Sequence, residues 1–192
     1  MTDAGHGPSA PDRRRILLLV GAAGAGKGTQ AELLSRELGL PHLASGDLFR
    51  QAVRDATPLG EQARAHMERG DLVPDELMVG LIRERLLEEE GFVLDGFPRT
   101  MAQAEALDTM LDEIGKPLDA VILLQVSDEE ATKRLRARAE QEGRADDSPE
   151  AIRNRLRLYH ELTELVVERY QLAGIEVIVD GEQTMDDVFA SI

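Results

Sequence analysis

Five short and largely apolar stretches stand out along the chain, separated by longer segments in which apolar residues recur every three or four positions. The run Ile16-Leu17-Leu18-Leu19-Val20 is long enough for a buried β-strand and too short to cross a membrane. The alternation of strands with helices predicts an α/β fold, in which a parallel sheet is covered by helices on both faces. The predicted strands of this five-stranded sheet cover residues 16–20, 41–44, 92–94, 121–124 and 175–179.

Helical spacing and helix-ending residues define the segments between these strands. Pro74 and the pair Ser148-Pro149 are typical helix starts, and Gly39 is a typical stop. Residues 57–60 predict a break, and residues 139–147 are polar without an apolar period, which predicts a loop or flap. The predicted helices cover residues 31–38, 46–53, 61–69, 101–114, 128–138, 148–173 and 184–192, with a further helix that begins at Pro74.

The glycine-rich stretch Gly21–Gln30 lies where the first strand turns into the first helix. Glycines in this position let several backbone N–H groups point at one anion, and the helix N-terminus adds positive partial charge. Lys27 can reach the terminal phosphates of a nucleotide, and Thr29 can offer a hydroxyl. Gly28 departs from the general pattern, in which Ser or Thr directly follows the Lys. A glycine-rich turn that binds nothing is the alternative interpretation.

Composition narrows the function classes. The net charge of −15 argues against general binding to nucleic acid or to anionic membranes, and the absence of Cys excludes disulfides and thiolate zinc sites. Lysine occurs only at positions 27, 116 and 133, so most of the 22 basic residues are arginines, which suit planar two-pronged binding of phosphate. Residues 1–13 predict a flexible leader rather than a signal peptide, and a cytoplasmic protein is the default expectation.

The most unusual stretches all follow predicted strands. Residues 21–29, 45–50 and 95–99 each begin where a strand ends, and ligands of open parallel sheets bind beyond the carboxyl ends of the strands. The sequence therefore predicts one shared site. The four His residues have no metal-ligand spacing and are assigned no role, and Arg136 and Arg153 are interpreted as surface residues.

From Ile16 to its C-terminus the chain resembles the adenylate kinases, within the nucleoside monophosphate kinase family. The resemblance is carried by residues 26–30, 45–50, 95–100 with Gln103, 143–147, and 154–155. It implies a P-loop three-layer sandwich, in which a glycine after the loop lysine is normal. The implied organisation is a kinase core over residues 14–192, with a helical insertion for the nucleoside monophosphate at 44–73 and a short lid at 137–147.

The resemblance also implies roles for individual residues, which we carry over to this numbering. The ATP site is implied to contain Gly24, Ala25, Gly26, Lys27, Gly28, Thr29, Arg138 and Gln183. The AMP site is implied to contain Ser45, Arg50, Asp71, Leu72, Val73, Gly96, Phe97, Pro98, Arg99, Gln103, Arg144 and Arg155. The implied catalytic cations are Lys27, Arg99, Arg134, Arg138, Arg144 and Arg155, and Asp95 is implied to bind Mg²⁺ through water.

The activity implied by this resemblance is reversible transfer of the terminal phosphoryl group of Mg-ATP to AMP by a monomer, giving two ADP. A UMP/CMP kinase is one alternative, although Ser45 and Thr100 resemble adenylate kinases more closely. A P-loop module that binds nucleotide without turnover is the other. The chain lacks the Asn-Lys-x-Asp guanine motif of a GTPase switch, and a pure binder would not need Arg99, Arg144 and Arg155.

Overall fold

The structure, a computed structural model, describes residues 15–192, so the predicted leader lies outside the described residues. The sheet has five strands, all paired in parallel, in the order β2-β3-β1-β4-β5. This arrangement confirms the predicted fold class. The strands are β1 (Ile16–Val20), β2 (His42–Ala44), β3 (Phe92–Asp95), β4 (Ala120–Gln125) and β5 (Glu176–Asp180).

The described residues also contain nine α-helices, a 3₁₀ turn and a π-helical turn. The first four helices are α1 (Lys27–Leu38), α2 (Ser45–Arg54), α3 (Pro58–Arg69) and α4 (Asp75–Glu88). The next three are α5 (Met101–Glu113), α6 (Asp128–Glu142) and α7 (Pro149–Leu158), with the 3₁₀ turn Ala145–Asp147 between the last two. The π-helical turn Tyr159–Thr163 connects α7 to α8 (Glu164–Ala173), and α9 (Met185–Ser191) ends the chain.

Three predicted helix boundaries were wrong by three residues or more, and the first is that α1 begins at Lys27 rather than at residue 31. Helix α6 continues to Glu142, whereas the sequence predicts a loop from residue 139. Ala, Glu and Gln are good helix formers even without an apolar period, and the helix ends only at Gly143, whose φ of 63° suits glycine. Helix α3 begins at Pro58 rather than at residue 61, because Thr57 accepts a hydrogen bond from the Gly60 N–H and the proline occupies the first helical position.

The core consists of apolar layers on the two faces of the sheet. Ile16, Leu18 and Val20 pack into one layer, whereas Leu17 and Leu19 pack into the other. Every residue of β1 is therefore buried, which explains why the strand reads as one continuous apolar run. Within residues 15–192, no helix combines the length and the apolar character that crossing a bilayer requires.

Parallel pairing brings the predicted motifs to one edge of the sheet. Asp95 at the end of β3 is in register with Leu19 of β1 and with Ala44 of β2. The loop after β1, the start of α2 and the segment after β3 therefore begin side by side. Strand β5 lies at one lateral edge of the sheet, where the side chains of Val177 and Ile178 are exposed.

Candidate active site

The glycine-rich loop between β1 and α1 is held tightly against its neighbours. Gly24 has a φ of 85°, and a Cβ there would lie 2.6 Å from the backbone oxygen of Ala131 on α6. Gly26, with a φ of 94°, precedes α1 without a side-chain cap, and the first residues of that helix line a cleft. The loop therefore presents backbone N–H groups and a helix N-terminus to the cleft, which is an arrangement that suits an anion.

Lys27 lies at the base of this cleft. Its Nζ donates hydrogen bonds to the backbone oxygens of Gly21, at 2.9 Å, and Ala22, at 2.8 Å. Burial, together with the positive charges of Arg99 and Arg155, lowers the pKa of Lys27 to about 8, although the Asp95 carboxylate opposes the shift. The surroundings of the Lys27 ammonium group therefore disfavour its positive charge.

Asp95 and His42 lie beside the lysine. His42 Nε2 is 3.8 Å from Asp95 Oδ2, across the paired strands β2 and β3. Burial acts to raise the pKa of Asp95, but His42 and Lys27 outweigh it and hold the pKa below its ordinary value. The residues between 15 and 192 contain no group of three or more His, Asp or Glu side chains that could hold a metal ion by themselves.

Three arginines surround a pair of aspartates in the 3₁₀ turn. Asp147 is buried and accepts two hydrogen bonds from Arg138, at 2.7 and 2.8 Å, and one from Arg155 at 2.8 Å. Asp146 accepts from Arg144 Nη2 at 2.9 Å. Burial raises the pKa of Asp146, but the hydrogen bond and charge of Arg144, with the charge of Arg155, lower it to about 2.

Asp146 also connects two parts of the chain that are far apart in sequence. Arg50 on α2 approaches Asp146 Oδ2 at 3.5 Å and donates through Nε to Asp47 at 3.1 Å. The predicted insertion and the predicted lid thus meet at one carboxylate. Burial and the positive charge of the neighbouring Arg99 together lower the pKa of Arg155 to about 10.

Arg99 is held by the segment that follows β3. Its Nε donates to the backbone oxygen of Gly96 at 2.7 Å, and its own backbone oxygen accepts a hydrogen bond from Thr163 at 3.0 Å. Gly96 has a φ of 81°, and a Cβ there would lie 2.7 Å from the Ser45 hydroxyl oxygen. Glycine therefore permits this close packing of the strand end against α2.

A second pocket adjoins the cleft on the side of α2 and α3. Phe49, Met67 and Met78 give it an apolar wall, and Asp71 lies at its rim. The Asp71 carboxylate accepts from Asn154 Nδ2 at 2.7 Å and from Arg69 Nε at 2.8 Å. The predicted residues that line this pocket are Ser45, Asp71, Leu72, Val73, Arg99, Gln103 and Arg155.

Most of the predicted site residues converge, but Arg134 is paired with a neighbouring acid and Gln183 is not part of the cleft lining. Arg134 lines the cleft, but its Nε donates to Glu130 at 2.9 Å. Gln183 is exposed in the turn between β5 and α9, with Nε2 at 3.4 Å from Asp180. The cleft beside the loop is lined by Gly24, Gly26, Lys27, Gly28, Thr29, Arg50, Asp95, Gly96, Arg99, Arg134, Arg138, Arg144 and Arg155.

Sequence reasoning missed three residues of the site region. His42 was assigned no role, although its Nε2 lies 3.8 Å from the Asp95 carboxylate. Asp75 and Thr163 were also missed, and they contact the side chain of Gln103 and the backbone of Arg99 respectively. The available signal for His42 was its place on the strand that pairs with β3. The contact of Thr163 had no local signal, because it depends on the π-helical turn.

The cleft defines a class of protein. A parallel sheet, a glycine-rich loop with a buried lysine, and arginines that converge from α2, α6, α7 and the segment after β3 are the parts that phosphoryl transfer between two anionic ligands requires. The chain is thus a P-loop protein of the phosphotransferase class.

Comparison with known proteins identifies the family. The sequence model described as adenylate kinase matches residues 19–175. An adenylate kinase of Thermus thermophilus is 50% identical over 181 residues, which cover 94% of this chain and 96% of the relative. Adenylate kinases of Micrococcus luteus and Cyanothece sp. are each 49% identical, over 90% and 92% of this chain and 85% and 92% of the relatives. The chain belongs to the adenylate kinase family, which confirms the predicted family and enzyme class.

Proposed function

We propose that this protein transfers the terminal phosphoryl group of Mg-ATP reversibly to AMP, giving two ADP. The observation that carries the proposal is the convergence of Lys27, Arg99, Arg144 and Arg155 on one cleft. Burial lowers the pKa of Lys27, of Arg99 and of Arg155. Cations that are crowded and partly desolvated in this way favour binding of phosphate, because its negative charge stabilises their protonated forms.

The ATP side of the proposed site is the glycine-rich loop. Backbone N–H groups from Gly24 to Thr29 cradle the phosphates, and Lys27 exchanges its two carbonyl partners for phosphate oxygens. Arg138 contributes from α6. The backbone near Gln183 contacts the ATP base, which is supported by the close approach of Gly181 to the loop: a Cβ on that glycine would lie 3.3 Å from the backbone oxygen of Ala25.

The AMP side is the adjoining pocket. Ser45 and Arg50 hold the monophosphate from α2, and the backbone of Asp71–Val73 lines the base. Gly96–Arg99 forms the wall towards the loop, and Gln103 reads the edge of the base. The proposed domain organisation follows, with residues 44–73 closing over AMP and residues 137–147 closing over ATP to exclude water.

The aspartates of the 3₁₀ turn keep the arginines in place until substrate arrives. Arg138 and Arg155 share Asp147, and Arg144 pairs with Asp146, so the guanidinium groups are oriented before binding. In the reaction they stabilise the charge that develops on the transferred group, and no covalent step by the protein is required. Preorganisation of this kind avoids reorientation of the cations during the reaction.

The residues present also fit a magnesium ion. Mg²⁺ commonly keeps several waters and is bound through one or two carboxylates together with substrate phosphates. Asp95 supplies one carboxylate beside the loop: a Cβ on Gly28 would lie 3.6 Å from its Oδ2. Asp95 would hold the ion through water. When bound, Mg²⁺ would neutralise phosphate charge. We also propose that the protein acts as a cytoplasmic monomer.

A coupled assay tests the proposed activity. Purified protein is supplied with Mg-ATP and with AMP, CMP, UMP or GMP in turn, and ADP formation is measured. We expect AMP to be the preferred acceptor. A tenfold preference for CMP would instead identify a UMP/CMP kinase, and calorimetric binding of ATP without an AMP site would identify a non-catalytic nucleotide-binding module.

The affinity for ATP is expected to fall as the pH rises through about 8, the pKa of Lys27 in the free protein. Bound phosphates favour the charged ammonium and raise its pKa, so binding takes up a proton above that pH. Above that pH, the affinity for ATP is expected to fall by up to about tenfold for each pH unit. Isothermal titration at several pH values measures it, with Lys27→Met as the reference. If ATP affinity changed with pH equally in the wild-type protein and in Lys27→Met, the proposed role of Lys27 in phosphate binding would be contradicted.

A further inference from the structure

The carboxamide of Gln103 is fixed at both of its ends. Gln103 is 1% exposed and lies in the wall of the proposed AMP pocket. Its Nε2 donates to Asp75 Oδ1 at 2.6 Å, and its Oε1 accepts from the backbone N–H of Arg99 at 2.8 Å. A carboxamide this deeply buried depends on protein partners for its hydrogen bonds, since little water reaches it.

The chemistry of these partners determines which end of the amide faces which way. A carboxylate only accepts hydrogen bonds, and a backbone N–H only donates. Rotation of the amide by 180° would set its NH₂ group against the Arg99 N–H and its oxygen against the Asp75 carboxylate. Both contacts would then be repulsive and buried. The chemistry of the two partners therefore fixes which atom of the amide is the oxygen and which is the nitrogen.

Asp75 is in turn held by the start of helix α5. Its Oδ2 accepts from the Thr100 hydroxyl at 3.0 Å, and that hydroxyl oxygen accepts from the backbone N–H of Gln103 at 3.2 Å. Asp75 is also the first residue of α4, where the helix dipole favours a negative side chain. The carboxylate therefore joins the starts of two helices on the side of Gln103 away from Arg99.

We propose that Asp75 is a positioning residue that sets the base specificity of the AMP pocket through Gln103. With one N–H bound to Asp75 and one oxygen lone pair bound to Arg99, the amide has one donor and one acceptor left for a ligand. Adenine offers the complementary pair at its edge, an acceptor at N1 and a donor at the 6-amino group. A 6-oxopurine offers the reverse pair and is rejected. This inference rests on the proposed function.

The sharpest test compares AMP with inosine monophosphate, because the two differ only by the exchange of the 6-amino group for an oxo group and a proton on N1. The ratio of kcat/KM for AMP to that for inosine monophosphate is measured for the wild-type protein, for Asp75→Ala and for Asp75→Asn. We expect the ratio to fall at least about tenfold in Asp75→Ala, mainly through a higher KM for AMP, as a hydrogen-bonding constraint on a specific site is lost. Asp75→Asn preserves shape but can also donate, and it is expected to reduce the ratio as well.

Glu76→Gln is the matched control, since it removes a neighbouring charge from the exposed side of the same helix turn. It should leave the ratio unchanged. All proteins are assayed below the onset of thermal unfolding, and ATP affinity serves as a second check of the native fold. If Asp75→Ala does not fold, the isosteric Asp75→Asn decides the matter.

The outcomes separate this inference from the proposed function. A variant that loses activity towards both acceptors by the same factor would assign Asp75 a structural role and overturn the inference. A wild-type protein that converts no AMP would overturn the proposed function instead. If the ratio of kcat/KM falls in the Asp75 variants and is unchanged in Glu76→Gln, the result supports both this inference and the proposed function.

Discussion

Replacement of Lys27 by Met is expected to lower the rate of ADP formation by roughly 10³-fold or more, because it removes a buried charge directed at the transition state. The ammonium group lies at the start of α1, on the floor of the cleft, and its present partners are two backbone carbonyls of the same loop. Methionine fills similar space without charge. The coupled ADP assay at saturating ATP and AMP measures the effect.

The fold itself should tolerate this change. Burial disfavours the charged form of Lys27, as its lowered pKa shows, so an apolar side chain of similar length removes an electrostatic cost as well as two hydrogen bonds. Lys133→Met is the matched control: this lysine is exposed on α6 and pairs with Glu130. Near-normal turnover in Lys27→Met, or an equal loss in Lys133→Met, would refute the assigned role.

Replacement of Arg155 by Met is expected to lower kcat by about 10²- to 10³-fold, as the loss of one preorganised donor to the developing charge does in other enzymes. Arg155 lines the cleft, the adjoining pocket and a third pocket that shares Lys27 with the cleft and Leu72 with the adjoining pocket. Its Nη1 contacts the Asp147 carboxylate and the backbone oxygen of Asp146. Its removal therefore affects the region where the two nucleotides are proposed to meet.

Arg153→Met provides the comparison on the same helix. Arg153 is two residues away, with an exposed side chain that pairs with Glu150. We expect this variant to keep wild-type kinetics. Asp147 still has two hydrogen bonds from Arg138 in Arg155→Met, so the thermal unfolding midpoint should change little. Equal kinetics in the two variants would remove Arg155 from the catalytic machinery.

Much of the fold could be predicted because local and global signals agree. The continuous apolar run of β1 reflects burial on both faces of the sheet, and Gly21, Gly24 and Gly26 after it occupy backbone conformations with positive φ. The same agreement placed the loop, the start of α2 and the end of β3 at one edge. Prediction failed at residues 139–142, where helix formation depends on intrinsic propensity rather than on an apolar stripe.

The network around Gln103 could not be predicted in the same way. Gln103 itself was identified through resemblance to a family, but Asp75 lies 28 positions earlier and reads as an ordinary acidic residue in the first turn of a helix. The role of Asp75 depends on the packing of α4 beside α5, which brings its carboxylate to Gln103. Similarly, the π-helical turn before α8 places Thr163 against the backbone of Arg99, and hydrophobic periodicity does not reveal such a turn.

The lateral edge of the sheet has a consequence for behaviour at high concentration. Two copies that joined their β5 strands antiparallel about Ile178 would set Glu176 of each against Asp180 of the other. Burial already raises the pKa of the Glu176 carboxyl, and a paired edge would withdraw more water from it. Inward-pointing and opposed acids are a known way to keep open edges from templating aggregation. The opposed acids would therefore disfavour this pairing of two β5 strands, despite the exposed valine and isoleucine.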